Sequence, residues 1–311
     1  MTMGRGALTA VVLLTGVCAG TALADSENGE DGQRVSIHRT NPHNEAVAPP
    51  AGSTGTIAPA ITNHGGPVML EPNVYLIWYG NWNQNNGSDT AAGQQIVNDF
   101  LFGLSGSPYF VTNASYAGVS GTFSVKGSTS DHYSQGSRLS DRGVAAVVSN
   151  AINSGKLPKD GNGIYLVLSS SDVSENSGFC SRYCGWHTYG TLGGTNIKYA
   201  FVGNPNRCLN ACSIQTVSPN GNAGVDGMVS VIAHELEETN TDPNLNAWYD
   251  ANGAEDADKC AWTFGQNLTL ANGAYSNMTL PGQSVSSRNY LIQRELDSNS
   301  LCYVNYVTKA Q

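Results

Sequence analysis

The sequence predicts an α/β domain: a mixed, largely parallel sheet with packed helices and disulfide-stabilised loops. Two observations predict it. Continuous apolar runs of strand length alternate with segments whose apolar residues recur at helical spacing. An even set of cysteines follows an N-terminal stretch that reads as an export signal.

The elements follow in order. Val74-Tyr75-Leu76-Ile77-Trp78-Tyr79, ended by Gly80, is apolar throughout and predicts a strand buried on both faces, with Trp78 in the core. Ile96, Val97, Phe100, Leu101 and Leu104 form one stripe and predict a helix over 90–104. Residues 116–126 alternate enough to predict a strand. Ser140 or Asp141 caps a helix running to about Asn153, with Val144, Val147, Val148 and Ile152 inward. Residues 163–168 and 198–202 predict two further strands. A helix over about 224–239 comes next, ended by Asp242-Pro243 because the residue before proline avoids helical geometry. Short strands are expected near Tyr290 and Cys302.

Arg5, the apolar segment from Ala7 to Cys18 and Ala22-Leu23-Ala24 predict a signal peptide over 1–24, with the mature chain beginning at Asp25. Thr15-Gly16-Val17 before Cys18 make a poor lipoprotein signal, so release without a membrane anchor is expected. The polar stretch 25–66 is expected to be a disordered arm or propeptide, and 67–311 a single domain. The formal charge is −9, one unit more negative once Arg5 is removed. That balance disfavours nucleic acid and anionic membrane as partners. A secreted, extracellular monomer acting on a peptide or cell-wall substrate is expected.

Seven cysteines fall to six without Cys18. In an oxidising compartment three disulfides are the default. The local pairs Cys180–Cys184 and Cys208–Cys212 are expected, with Cys260–Cys302 closing the C-terminal segment. Zinc on the two CxxxC pairs is the alternative.

His234-Glu235-Leu236-Glu237-Glu238 carries the chemistry. It interrupts the apolar run Val229–Ala233 with a histidine and three carboxylates. On a helix, His234 and Glu238 share a face and can grip one divalent metal. Glu235 stands about 100° around the axis, placed to take a proton from water that the metal activates. This HExxE is one letter from the HExxH of zinc peptidases, and it predicts a zincin-like active-site helix. Val225, Met228, Val229, Ile232 and Leu236 cluster on the opposite side, so the His/Glu face is expected to look into a cleft. Zinc is the expected metal, with calcium or manganese open because Glu is a harder ligand than His. Glu255 is the expected third ligand and Asp258 the residue orienting His234; Asp242 and Asp250 are rivals. His187 is expected either to steady a developing oxyanion as a second catalytic residue or to be structural. The plain alternative for the motif is a solvated helix face with His234 ion-paired to Glu238. Trp82, Trp186 and Trp248 are candidates for stacking on sugar rings.

Several segments together resemble the exordium-like, phosphate-induced family of secreted proteins. They are residues 73–80, 178–187 and 199–204 with Cys208 and Cys212, then 219–228 and 255–260. The resemblance implies an extracellular protein acting in cell-wall or growth signalling, without an established activity. The plant pattern carries small and apolar residues where His234, Glu235 and Glu238 stand here. The resemblance therefore implies a microbial branch with a metal site of its own, and lends no catalytic role. A non-catalytic extracellular protein, with a structural metal site or none, is the alternative to a metallopeptidase.

Overall fold

The computed structural model describes residues 58–305, together with two short backbone strands at Ala24–Asp25 (β1) and Gln33–Ser36 (β2). The expected signal peptide and most of the polar arm lie outside the described residues. Among the described residues no helix is long and apolar enough to cross a membrane.

The expected α/β class is observed. A seven-stranded sheet is built from β1, β2, Asn73–Tyr79 (β3), Ser124–Asp131 (β4), Gly163–Ser169 (β5), Tyr183–Leu192 (β6) and Thr195–Gly203 (β7). Its order is β1-β6-β7-β5-β3-β4, with β2 also on β6. β4, β3, β5 and β7 run parallel; β6 is antiparallel to β7, β1 and β2. The sheet is therefore mixed. β3 and β5 sit centrally and are buried almost end to end, which is why they read as unbroken apolar runs.

Helices Ala91–Leu104 (α1) and Asp141–Asn153 (α2) begin where their caps dictate. Thr90 Oγ1 accepts from the Gly93 amide at 3.0 Å, and Ser140 Oγ from the Gly143 amide at 3.1 Å. The motif helix is Ala223–Thr241 (α3), capped by Asn222 Oδ1, which accepts from the Val225 amide at 3.2 Å. Asp242 ends it. A short helix, Asp256–Cys260 (α4), packs against it.

Three expectations need correction. The alternating stretch 116–126 is not a strand; the chain makes a 3-10 turn over Phe110–Ser115 and the strand begins at Ser124. Tyr116 and Val119 instead anchor a loop in a small core with Ile61, Cys260 and Leu296, and the Tyr116 hydroxyl donates to the Leu296 carbonyl at 2.9 Å. The strand β6 was not expected, because Gly185 and Gly190 interrupt its pattern. The local disulfides are replaced by Cys180–Cys208 and Cys184–Cys212; Cys260–Cys302 is as expected. Cys184 lies on β6 and Cys212 ends the helical turn Leu209–Cys212, so the two elements lie side by side and their cysteines pair across, Cα to Cα 5.4 Å.

Gly185 is required by packing. A Cβ there would lie 2.6 Å from Val231 Cγ1, 2.8 Å from Glu235 Oε1 and 3.1 Å from the Phe201 carbonyl. Gly185→Ala is expected to lower unfolding free energy by about 1–3 kcal/mol, read by chemical denaturation. Unchanged stability would show that β6 and α3 are not packed this closely.

Candidate metal centre

α3 is buried on every side. All residues from Gly224 to Thr241 are buried, the charged face included. α3 lies against β6, β7 and α1, with Val231 beside Gly185 of β6 and Val225 beside Gly93 of α1. The His/Glu face does not look into an open cleft: it meets β6 on one side and the chain from Asp242 to Cys260 on the other. Side chains alternate along a strand, so Gly185 and His187 of β6 both point at α3. Gly185 leaves room for Glu235, and His187 reaches past it.

Glu238 stands between the two imidazoles. Its Oε1 is 2.8 Å from His234 Nε2, and its Oε2 is 3.4 Å from His187 Nδ1. Oε1 also accepts from the Asp258 amide at 3.2 Å, which ties α3 to the first turn of α4. Asp258 Oδ1 lies 3.5 Å from His234 Nε2, Glu235 Oε2 lies 3.4 Å from His187 Nδ1, and Glu255 Oε1 lies 3.7 Å from His187 Nε2. The six residues singled out from sequence therefore come together. Five of them form two donor groups joined at Glu238: His234, Glu238 and Asp258, and His187, Glu235 and Glu238. Asp258, expected to orient His234 from behind, shares donor space with it directly. Glu255, expected as third ligand, approaches His187.

The rival carboxylates are engaged elsewhere. Asp242 Oδ1 accepts from the Asn246 and Ala247 amides at 2.6 and 2.7 Å. Asp250 Oδ1 accepts from the Asn252 and Ala254 amides, and its Oδ2 pairs with Lys259. Both hold the loop that carries Glu255. Trp78, Trp82 and Trp186 are core residues, and the Trp82 indole donates to the Leu168 carbonyl at 3.1 Å. Trp248 packs edge-on against Tyr116. A sugar platform on Trp82 or Trp186 is thereby corrected to core packing.

Electrostatics favour charge on the two imidazoles and Glu238 and oppose it on Glu235 and Glu255. Burial opposes a charge on His187, but Glu235 and Glu238 outweigh it and raise its pKa to about 10. His234 is treated likewise: burial opposes its charge, and Glu238 and Asp258 hold it protonated. Burial resists the charge on Glu238 too, yet the two imidazoles keep it ionised. Burial pushes Glu235 up, partly offset by His187. Glu255 is pushed up by burial and by the charges of Glu238 and Asp242.

Donor atoms are nevertheless left over. Both nitrogens of His187 and of His234, both oxygens of Glu235 and of Glu255, and Oε2 of Glu238 are buried without an aligned hydrogen-bond partner. Buried polar atoms are ordinarily satisfied. Two imidazoles and several carboxylates facing one another are the nitrogen and oxygen set that a divalent transition ion takes, so the residues fit zinc. His187 was the least legible member, since only its spacing of two from Gly185 marks it as facing the helix.

Comparison with known proteins agrees with the fold-wide pattern. The description "Phosphate-induced protein 1 conserved region" matches residues 61–284. Protein EXORDIUM-like 3 of Arabidopsis thaliana is 31% identical over 274 residues, covering 74% of this chain and 78% of the relative. Protein EXORDIUM-like 5 of the same plant is 34% identical over 220 residues, covering 60% of this chain and 58% of the relative, so the chain spans less than two thirds of that relative's length. Protein PHOSPHATE-INDUCED 1 of Nicotiana tabacum is 29% identical over 223 residues, 60% of this chain and 66% of the relative. No solved structure matches. From the matched region and these relatives, the chain belongs to the phosphate-induced, exordium-like family.

Proposed function

We propose that this chain is a secreted, metal-centred hydrolase, most fittingly a peptidase. Its three disulfides suit an oxidising compartment. The observation that carries the reading is the set of buried, unpartnered donor atoms around Glu238. His234, Glu238 and Asp258 would hold zinc, with Glu255 supporting the set beside His187. Zinc in such a site supplies Lewis acidity and lowers the pKa of water.

The chain's own residues divide the remaining work. Glu235 is held by burial near the point where it exchanges a proton at neutral pH, which suits a group that accepts a proton from water and later gives it to a leaving amine. His187, 3.4 Å from Glu235 Oε2, fixes that carboxylate and can donate toward an oxyanion. β6 is paired on both edges beside the centre, with β7 on one side and with β2, which sets Gln33 opposite His187, on the other.

A second reading is favoured by a specific observation. His187, Glu235 and Glu238 are 0% exposed, and closed metal sites are ordinarily structural. The relatives' names carry no reaction. On this reading the ion braces a non-catalytic extracellular protein acting at cell walls or in growth signalling.

Glu235→Gln separates the two. The hydrolase reading expects metal content to be retained and turnover of a mixed peptide library to fall about 10²–10⁴-fold. If library cleavage is absent from wild type, or unchanged in the variant, the structural reading replaces it.

The metal-free protein has a signed pH dependence. His187 is raised from its ordinary value near 6.5 to about 10, so its contribution to stability is complete below about pH 6.5 and lost as pH rises through about 10. Zinc binding needs deprotonated imidazoles and releases those protons. Thermal unfolding from pH 6.5 to 10 should therefore show zinc-dependent stabilisation growing with pH, and His187→Gln should flatten the metal-free profile. A stabilisation that shrinks with pH would contradict the assignment.

A further inference from the structure

The edge of β6 beside the metal centre is covered by the chain's own N-terminal arm. β6 carries two ladders. On one edge β7 pairs with it from Gly185 to Leu192. The other edge holds two short strands: β1, opposite Gly190 and Thr191, and β2, opposite Tyr183, Trp186 and His187. Both come from the arm, upstream of residues 61–284 that the family description matches. The matched domain therefore gives β6 one neighbour and leaves its second edge to be filled.

The place of that edge gives it meaning. Gln33 lies opposite His187, whose Nδ1 is 3.4 Å from both Glu235 Oε2 and Glu238 Oε2. β2 also lies against α3. A strand on this edge therefore passes beside the residue that carries the imidazole. Its hold is short: β2 has four residues, and its register shifts between Arg34 and Ser36, which breaks the ladder. The expected signal cleavage after Ala24 would take half of β1 away, which leaves β2 as the covering strand. A strand edge without its neighbour presents free amides and carbonyls to any extended chain. Main-chain bonds of that kind supply affinity whatever the sequence.

We propose that this edge of β6 is a binding site for an extended polypeptide, added as an antiparallel strand, and that Gln33–Ser36 is its tethered occupant. The arm keeps the site filled until it is cut or displaced. The incoming chain takes over the backbone pairing that β2 makes and passes His187 in the same place. Turnover of that chain rests on the peptidase reading above; its binding does not.

The test keeps the full secreted chain and weakens only the occupant. Alternate residues of a strand donate toward a given neighbour, so Gln33→Pro with Arg34→Pro removes one donor toward β6 whichever residue faces it. Both positions lie in the arm, outside the matched domain. A labelled synthetic peptide of residues 31–38 is titrated and followed by fluorescence anisotropy. Because β2 competes from within the chain, at an effective concentration set by its tether, wild type should bind the peptide at least ~10-fold more weakly than the double variant. Hydrogen exchange over residues 183–187 should quicken in the double variant and slow again when the peptide is added. Two prolines placed instead at Asn44 and Glu45 should leave both readings at wild type. Cleavage of the mixed peptide library is measured alongside. A rise in the double variant supports both readings, and peptide binding without cleavage supports the edge site while ending the peptidase reading. Equal peptide affinity in wild type and double variant, with exchange over 183–187 unchanged, overturns the proposal.

Discussion

Glu238 is the constraint around which the rest is arranged. A carboxylate at the centre of a fully buried helix is costly unless opposite charge meets it. Here two imidazoles meet it, one from its own helix and one from β6, and an amide of α4 closes the remaining direction. Those contacts fix the distance between α3 and the sheet and the seat of α4 on α3. They do not use up the donors. Five side chains retain buried atoms without an aligned hydrogen-bond partner, and the proposed ion rests on those atoms.

The scaffold supports this at points far apart in sequence. Gly185 lets β6 approach α3 closely enough for His187 to reach Glu238. Cys184–Cys212 holds that strand to the chain just before the helix. On the other side, Asp242 and Asp250 spend their oxygens on loop amides, and Cys260–Cys302 anchors the end of α4. The acidic loop is thus shaped by carboxylates that bind backbone, which leaves Glu255 and Asp258 to face the histidines.

Much of this was legible in the sequence, for identifiable reasons. The apolar runs at β3 and β5 and the caps at Thr90 and Ser140 are local signals, and the structure follows them to within a residue or two. The His234–Glu238 spacing depends only on helical geometry. What failed was non-local. Tyr116 alternates like a strand residue, but its hydroxyl serves Leu296 far along the chain. Cysteine pairing depends on which elements lie side by side, so spacing misled. The open cleft was inferred from one helix, while its closure comes from loops the wheel cannot see.

The most direct measurement is the metal content of the chain purified without chelators, by elemental analysis, beside His234→Ala and Glu238→Ala. The account requires close to one zinc-class ion per wild-type chain and its loss in both substitutions, with the fold retained by circular dichroism. A wild-type chain that is fully folded, carries no such ion and takes none up on titration would contradict it.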